Sequence, residues 1–352
     1  MLKNSTDKQK NVTIADVAAY VGVSKTTISR YLNKNFEFMS QETQEKIDEA
    51  IKVLKYRPNR IAQTLKAKNS NIIGVTIADI GNPFSSLLIK GINDVCRANN
   101  YQLLVTNADN LAERERENIE SLLDSQVDGL LVNTTGNNYK YLQEFKDSDN
   151  FKPIVLLDRF INPLIYDSVT MNNAEVTRNI LDELLKNDYD HYVYFSEDIN
   201  GISSRIERKK AMEEFLSRNA NTSGETNIIK KNDIKEIKER IENILNKNKD
   251  KNICFFANND EILKVLIECL YDLNIRIGVD IGIFGFAEEK WARLIGPGIT
   301  SIDENPYEMG ERAAKLLFER IDGSRKDDFI LEEIPVKIHL NYSTRNIKNK
   351  WG

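Results

Sequence analysis

The chain is poor in the residues that most chemistry needs: three cysteines and two histidines in 352 residues. Cys96, Cys254 and Cys269 have no metal-ligand spacing and an odd count, which argues against a zinc module or a disulfide framework and leaves reduced, buried thiols. His191 and His339 fall on predicted strands without ligand partners, so no metal is expected. Neither a Gly-x-Gly-x-x-Gly nor a P-loop is present, and neither enzyme activity nor a cofactor is expected. No apolar run approaches the roughly 18 residues of a membrane span. The N-terminus is a polar Lys/Asn/Gln tail without the apolar core of a signal peptide, which points to the cytoplasm and away from membranes. Internal repeats and low-complexity tracts are missing as well, and the Lys/Asn run over 246–252 reads as a surface loop.

What the chain does have begins near its N-terminus. Ile14, Val17, Ala18 and Val21 recur at i, i+3, i+4 and i+7, one apolar stripe of helical period, with Thr13 and Asp16 placed for a capping box. Gly22 suits a tight turn and Ser24 an N-cap. A second helix would then bury Ile28 and Leu32 while Lys25, Thr26, Ser29 and Arg30 face outward. Ser40 caps a third helix whose apolar face is Ile47, Ala50, Ile51 and Leu54. This is the helix-turn-helix pattern, which sets first-turn side chains of its second helix, here Lys25 and Thr26, against base edges. An isolated capped helix with Lys and Arg is as readily a solvated face, but the charge partition favours DNA. Residues 1–70 carry 13 Lys+Arg against 7 Asp+Glu, net +6, and the remainder 36 against 47, net −11. A basic head on an acidic body binds phosphate without general stickiness.

The runs Val12-Thr13-Ile14-Ala15-Asp16-Val17-Ala18, Gly22-Val23-Ser24, Thr27-Ile28-Ser29-Arg30-Tyr31-Leu32-Asn33 and Tyr56-Arg57-Pro58-Asn59-Arg60-Ile61-Ala62-Gln63-Thr64-Leu65 resemble the lactose/galactose repressor family of bacterial transcription factors. The resemblance is dense in the head and looser over the rest. It implies a transcription regulator, a repressor, that binds a pseudo-palindromic DNA operator as a homodimer and answers to a small carbohydrate. Lys25 and Thr26 match the family's base-reading pair and Arg30 its recognition-helix arginine. Thr13, Ser24, Thr27, Ser29, Asn33, Tyr56, Asn59, Ala62 and Leu65 complete the implied DNA surface. Residues 58–66 match a hinge helix that folds on DNA, with Leu65 as the minor-groove wedge. Pro58 suits a helix start, Ala62 is small enough for two hinges to approach, and an apolar wedge can kink a base step. The implied boundaries are 1–57 for the head, with 1–11 a flexible tail, 58–70 for hinge and linker, and 71–352 for an effector-binding and dimerisation domain. No leucine heptad follows Thr344, so the tetramerising tail of some relatives is not expected.

From residue 72 onward, apolar strands alternate with helical stretches: 72–77, 101–106, 129–132, 153–157, 191–195, 253–257 and 281–286. Alternation of this kind, with 41% hydrophobic residues to fill cores, predicts parallel sheets covered by helices. The fold class is therefore α/β: a small all-α head plus two Rossmann-like lobes, as in type I periplasmic binding proteins. The resemblance further implies three passages of the chain between the lobes, placed near 167–172, 298–303 and 325–331.

Ligands of parallel sheets collect beyond the carboxyl ends of the strands, where this chain carries Asp79, Asn107, Asn133, Asp158-Arg159, Ser196-Glu197 and Asn258-Asn259-Asp260. Of these, Asp79 and Asn133 are candidates by their strand-end position alone; the resemblance singles out Asp158 and Arg159, Phe84 on a covering loop, Arg208 as the effector-gripping arginine, and Asn259. Where relatives usually carry an acid, this chain has Ala287. Losing that acid while keeping Arg159 and Arg208 favours an anionic ligand, because a buried carboxylate needs charge-assisted partners. The stretch from Trp291 to Thr300 also resembles members of the sugar-acid, ketodeoxygluconate-like subgroup. A neutral sugar or purine effector, or a sugar sensor whose head binds protein, remain as alternatives.

Overall fold

The computed structural model describes residues 12–32, 34–56, 69–147 and 152–345. The chain divides into two compact units, Met1–Ser70 and Asn71–Gly352.

In the first unit, α1 (Ile14–Val21), α2 (Lys25–Leu32) and α3 (Gln41–Val53) enclose a core of Val17, Ala18, Ile28, Ile47, Ala50 and Tyr56. The capping box forms: Thr13 N–H donates to Asp16 Oδ2 at 2.8 Å, and Asp16 N–H to Thr13 Oγ1 at 3.4 Å. Such caps are each worth about 1 kcal/mol, a useful share in a core of this size. Gly22 takes a left-handed φ of +79°, which is why a glycine belongs at that turn. Ser40 caps α3 through Thr43 N–H.

The second unit contains two six-stranded sheets. The first holds β1 (Ile72–Ile77), β2 (Gln102–Asn107), β3 (Gly129–Val132), β4 (Ile154–Leu157) and β5 (Asp167–Met171). The second holds β6 (His191–Ser196), β7 (Ser223–Ile228), β8 (Ile253–Ala257), β9 (Gly282–Phe286) and β10 (Thr300–Asp303). Near the C-terminus, β11 (Leu331–Ile334) returns to the first sheet and β12 (Lys337–His339) to the second. The orders are β11-β5-β4-β3-β1-β2 and β12-β10-β9-β8-β6-β7. Every pairing is parallel except that of β12 with β10. Strands such as β4, β6, β8 and β9 are buried along their whole length, which explains their unbroken apolar runs.

Helices fill the connections: α4 (Pro83–Ala98), α5 (Ala112–Asp124), α6 (Tyr139–Lys146), α7 (Asn173–Leu185), α8 (Ser203–Arg218), α9 (Ile234–Lys247), α10 (Asp260–Asp272), α11 (Glu289–Ala292) and α12 (Pro306–Ile321). Helix α12 lies against α4 with Gly310 and Gly91 at the crossing. A Cβ at Gly91 would collide with the Tyr307 carbonyl oxygen, and one at Gly310 with that of Leu88. Arg320 on α12 grips the fully buried Asp167 of β5 with Nε and Nη2, at 2.6 and 2.9 Å, and Ile330 N–H donates to the same carboxylate. One apolar cluster runs from Ile73 and Val75 of the first sheet through Met171 and Val176 to Tyr192 and Phe256 of the second, so the lobes share a core where the chain crosses between them.

The passages between sheets follow Met171, Asp303 and Ile334. The first passage falls at the end of the expected 167–172 and the second directly after 298–303, ranges that hold strands β5 and β10, whereas the third lies beyond 325–331, which leads into β11. Their short sequences, DSVTM and TSID, lack the apolar runs of the central strands and read as connectors.

Candidate functional site

In the head, α2 presents Lys25, Thr26 and Arg30 to solvent, with Thr27 and Ser29 half-buried beside them. Lys25 and Arg30 form no ion pair among the described residues, which leaves their charges available to phosphate or base edges. Other expected contacts are already engaged within the head. Ser24 Oγ accepts from Thr27 N–H at 3.1 Å and meets Thr27 Oγ1 at 2.9 Å, and Thr13 is held in the cap of α1. These hydroxyls orient the reading helix. Tyr56 is only 9% exposed and packs with Val17 and Ile47 in the core of the head. Asn33, Asn59, Ala62 and Leu65, with the hinge over 58–66, lie outside the described residues.

In the second unit a cavity of about 110 Å³ opens between the lobes. Its first-lobe wall comes from the start of α4, where Asn82 caps the helix and Phe84 and Leu87 face in. Its second-lobe wall is Asp260, Lys264, Glu288 and Trp291, and Asp303, Glu304 and Pro306 close the back. Trp291 Nε1–H donates to Asp260 Oδ1 at 2.7 Å, and Lys264 pairs with the same carboxylate while lying over the indole. A volume this small falls below the roughly 300–1,000 Å³ of most small-molecule sites.

Arg208, 3% exposed on α8, binds groups from both lobes. Its Nε donates to Asn173 Oδ1 at 2.8 Å, Nη1 to the Asn258 carbonyl at 2.5 Å and Nη2 to Glu304 Oε1 at 2.9 Å, with the Phe286 ring 3.4 Å from the guanidinium carbon. Tyr194 Oη in turn donates to Asn258 Oδ1 at 2.6 Å. Burial pushes the Glu304 carboxyl up to about 7, with Arg208 pulling it back and Asp158 and Asp260 adding to the rise. Burial likewise raises Glu207 to about 7, helped by Glu333.

The remaining expected cleft residues are scattered. Of the eight, only Phe84 lines the cavity, and it belongs to the first turn of α4 where a covering loop was expected. Arg159 pairs with Asp158 at 3.5 Å and donates to the Thr134 carbonyl at 2.8 Å; burial lowers its pKa, with Asp158 countering. Asn133 spends its amide on the Ala78 N–H and the Leu157 carbonyl, stapling the ends of three strands. Asp79 accepts from Gly81 N–H and Asn110, shaping the turn after β1. Asn259 caps α10 through Ile262 N–H and reaches Glu197 at 3.5 Å. Ala287, 1% exposed, packs in the apolar core of the second lobe, so its side chain is part of that core. Sequence reasoning missed Lys264 and Glu304, and named Asp260 only as one of the polar strand-end residues. An acid does border the cavity, from a different place in the chain: Glu304, immediately after β10, at the second passage between lobes.

Residues 13–59 match the family described as bacterial regulatory proteins, lacI family, and residues 73–325 match a periplasmic binding protein domain. The HTH-type transcriptional regulator KdgR of Bacillus subtilis is 37% identical over 316 residues, covering 90% of this chain and 93% of its own length. The chain belongs to the lacI family. The regulator PtxS of Pseudomonas aeruginosa is 31% identical over 315 residues, covering 90% of this chain and 91% of its own. The fold matches the lac repressor dimer bound to operator and the anti-inducer ONPF with a TM-score of 0.83 at 22% identity, over 95% of this chain and 99% of that one. This lacI-family member is accordingly a DNA-binding transcriptional regulator with an effector domain, and its relatives are regulators rather than enzymes. Among the described residues no helix is long and apolar enough to cross a membrane.

Proposed function

We propose that the chain is a cytoplasmic repressor that binds a pseudo-palindromic operator as a homodimer and releases or grips it according to a sugar acid held between its lobes. One head covers a half-site, so two heads on a symmetric operator are the minimum for useful affinity. Lys25, Thr26 and Arg30 read bases, and the segment over 58–70 transmits the arrangement of the lobes to the heads. The observation that carries the effector reading is Arg208: a buried guanidinium bonded to Asn173 and Glu304 at two of the three passages between lobes. A carboxylate delivered there alters the joint itself and so biases one arrangement over another. The likeness of 291–300 to the sugar-acid subgroup favours the same class of ligand.

A second reading rests on the cavity's own charge. Asp260, Glu288, Asp303 and Glu304 outnumber Lys264, and carboxylates beside an indole suit the hydroxyls and apolar face of a neutral sugar. Calorimetric titration of the full-length protein with sugar acids and their neutral parent sugars separates the two. A sugar acid that binds, shifts operator affinity and loses its effect in Arg208→Ala supports the first reading. Equal or tighter binding of the neutral sugar selects the second.

A further inference from the structure

The guanidinium of Arg208 carries five N–H groups, four of them engaged: Nε with Asn173, one on Nη1 with the Asn258 carbonyl, and the two on Nη2 with Glu304 and the Met171 sulfur. Each of its three nitrogens has a partner, and Phe286 covers one face. Asn173 is held by its own bonds to Thr170 Oγ1 and the Met171 carbonyl, and the Asn258 carbonyl is backbone at the end of β8. The charged partner that an incoming carboxylate would displace is the Glu304 side chain, which also forms part of the cavity wall. Two ionised carboxylates on one buried guanidinium would leave a negative charge uncompensated, and a buried carboxyl relieves that by taking up a proton.

We propose that Glu304 is a built-in competitor for the effector's carboxylate: the ligand replaces it on Arg208, and Glu304 takes up one proton as it lets go. This rests on the sugar-acid reading. The exchange conserves charge, since the ligand brings one negative charge and the proton cancels that of Glu304. It also sets specificity, because a neutral sugar leaves the Arg208–Glu304 pair intact and needs no proton. The surroundings favour the neutral form once Arg208 is lost: Asp158, Asp260, Asp303 and Glu288 are the acids facing Glu304 or lining its cavity, and Lys264 is already paired with Asp260. In the ligand-free protein the carboxyl titrates near 7, so the proton is exchanged within the physiological range. Glu207, beside Arg208 and Glu333, titrates in the same range and must be separated from it.

The test is calorimetric titration of the full-length protein with 2-keto-3-deoxygluconate from about pH 6 to about pH 8.5, each pH in two buffers of different ionisation enthalpy. Proton uptake on binding is expected to rise from near zero at the acid end to approach one proton at the alkaline end. Affinity is expected to fall by up to about tenfold per pH unit above neutrality. Glu304→Gln, with its fold checked by melting, removes the uptake and flattens the pH dependence. Binding of the acid without proton uptake overturns the competitor while sparing the sugar-acid reading, and so does uptake that survives in Glu304→Gln, which assigns the proton to another group such as Glu207. Binding of glucose with no binding of the acid overturns both.

Discussion

Gly136 of the first lobe and Gly201 of the second stand so close that a Cβ on either would run into the other's carbonyl oxygen. Both hold left-handed backbone, with φ of +94° and +71°. Nearby, Phe160 N–H donates to Ser203 Oγ at 2.9 Å, again from one lobe to the other. With Arg208 tying Asn173 and Glu304 together, these contacts hold the lobes against each other around the small cavity.

Gly201→Ala should wedge that contact. The left-handed backbone alone costs a non-glycine residue about 1–2 kcal/mol, and the collision with Gly136 adds to it. The melting temperature of the second unit should fall by several degrees, and effector affinity should drop because the lobes no longer meet. Scanning calorimetry and ligand titration check both. An unchanged melt with unchanged affinity would show that the lobes do not need this approach.

The head separates reading from support. Lys25→Ala and Thr26→Ala should each change the operator preferred in a randomised-site selection, at about 1–3 kcal/mol of discrimination for a bidentate contact, and leave melting of the head unchanged. Ser24→Ala should do the reverse, removing a cap worth about 1 kcal/mol while keeping the sequence preference. Tyr56→Ala, emptying a core position, should destabilise the head by about 3 kcal/mol.

Ala287→Asp tests the buried position directly. A carboxylate placed in the apolar cluster that holds Phe255, Ile283 and Ala292 would be buried away from water, at a cost on the order of 3 kcal/mol. A marked loss of thermal stability is expected, with no gain in binding of neutral sugars. A variant that melts normally and binds neutral sugars better would return position 287 to the cleft.

The head was almost fully legible because its signals are local: a helical stripe at Ile14, Val17, Ala18 and Val21, caps at Thr13, Ser24 and Ser40, and one glycine turn at Gly22. The central strands were legible for a related reason, being unbroken apolar runs such as Ile253–Ala257. Strand β7, Ser223–Ile228, escaped notice because it is a half-exposed edge strand of mainly polar residues whose partner β6 is distant in sequence. The cleft was harder still. Arg208 was singled out, but its counter-ion Glu304 lies 96 positions away and no spacing rule connects them. Asn133 and Ala287 show the opposite error, since a polar strand end and a missing acid are both meaningful only when the direction of the side chain is known.

The final prediction concerns acid and base. Glu304 and Glu207 are both raised to about 7 from an ordinary value of 4.5, so each holds a proton in the folded chain at pH values where the unfolded chain has released it. Their contribution to stability is therefore fully present below about 4.5 and lost as pH rises through about 7. In the absence of ligand, the melting temperature of the second unit should fall between about pH 5 and about pH 8, at constant ionic strength. Glu304→Gln and Glu207→Gln should each reduce that slope, because an amide has no proton to lose. The two effects should add only partly, since Arg208 lies next to Glu207 in the chain and is bonded to Glu304, and groups that share a partner are coupled. A wild-type melting curve that stays flat across this range, or a slope unchanged in both variants, would show that neither carboxyl is held protonated by its burial.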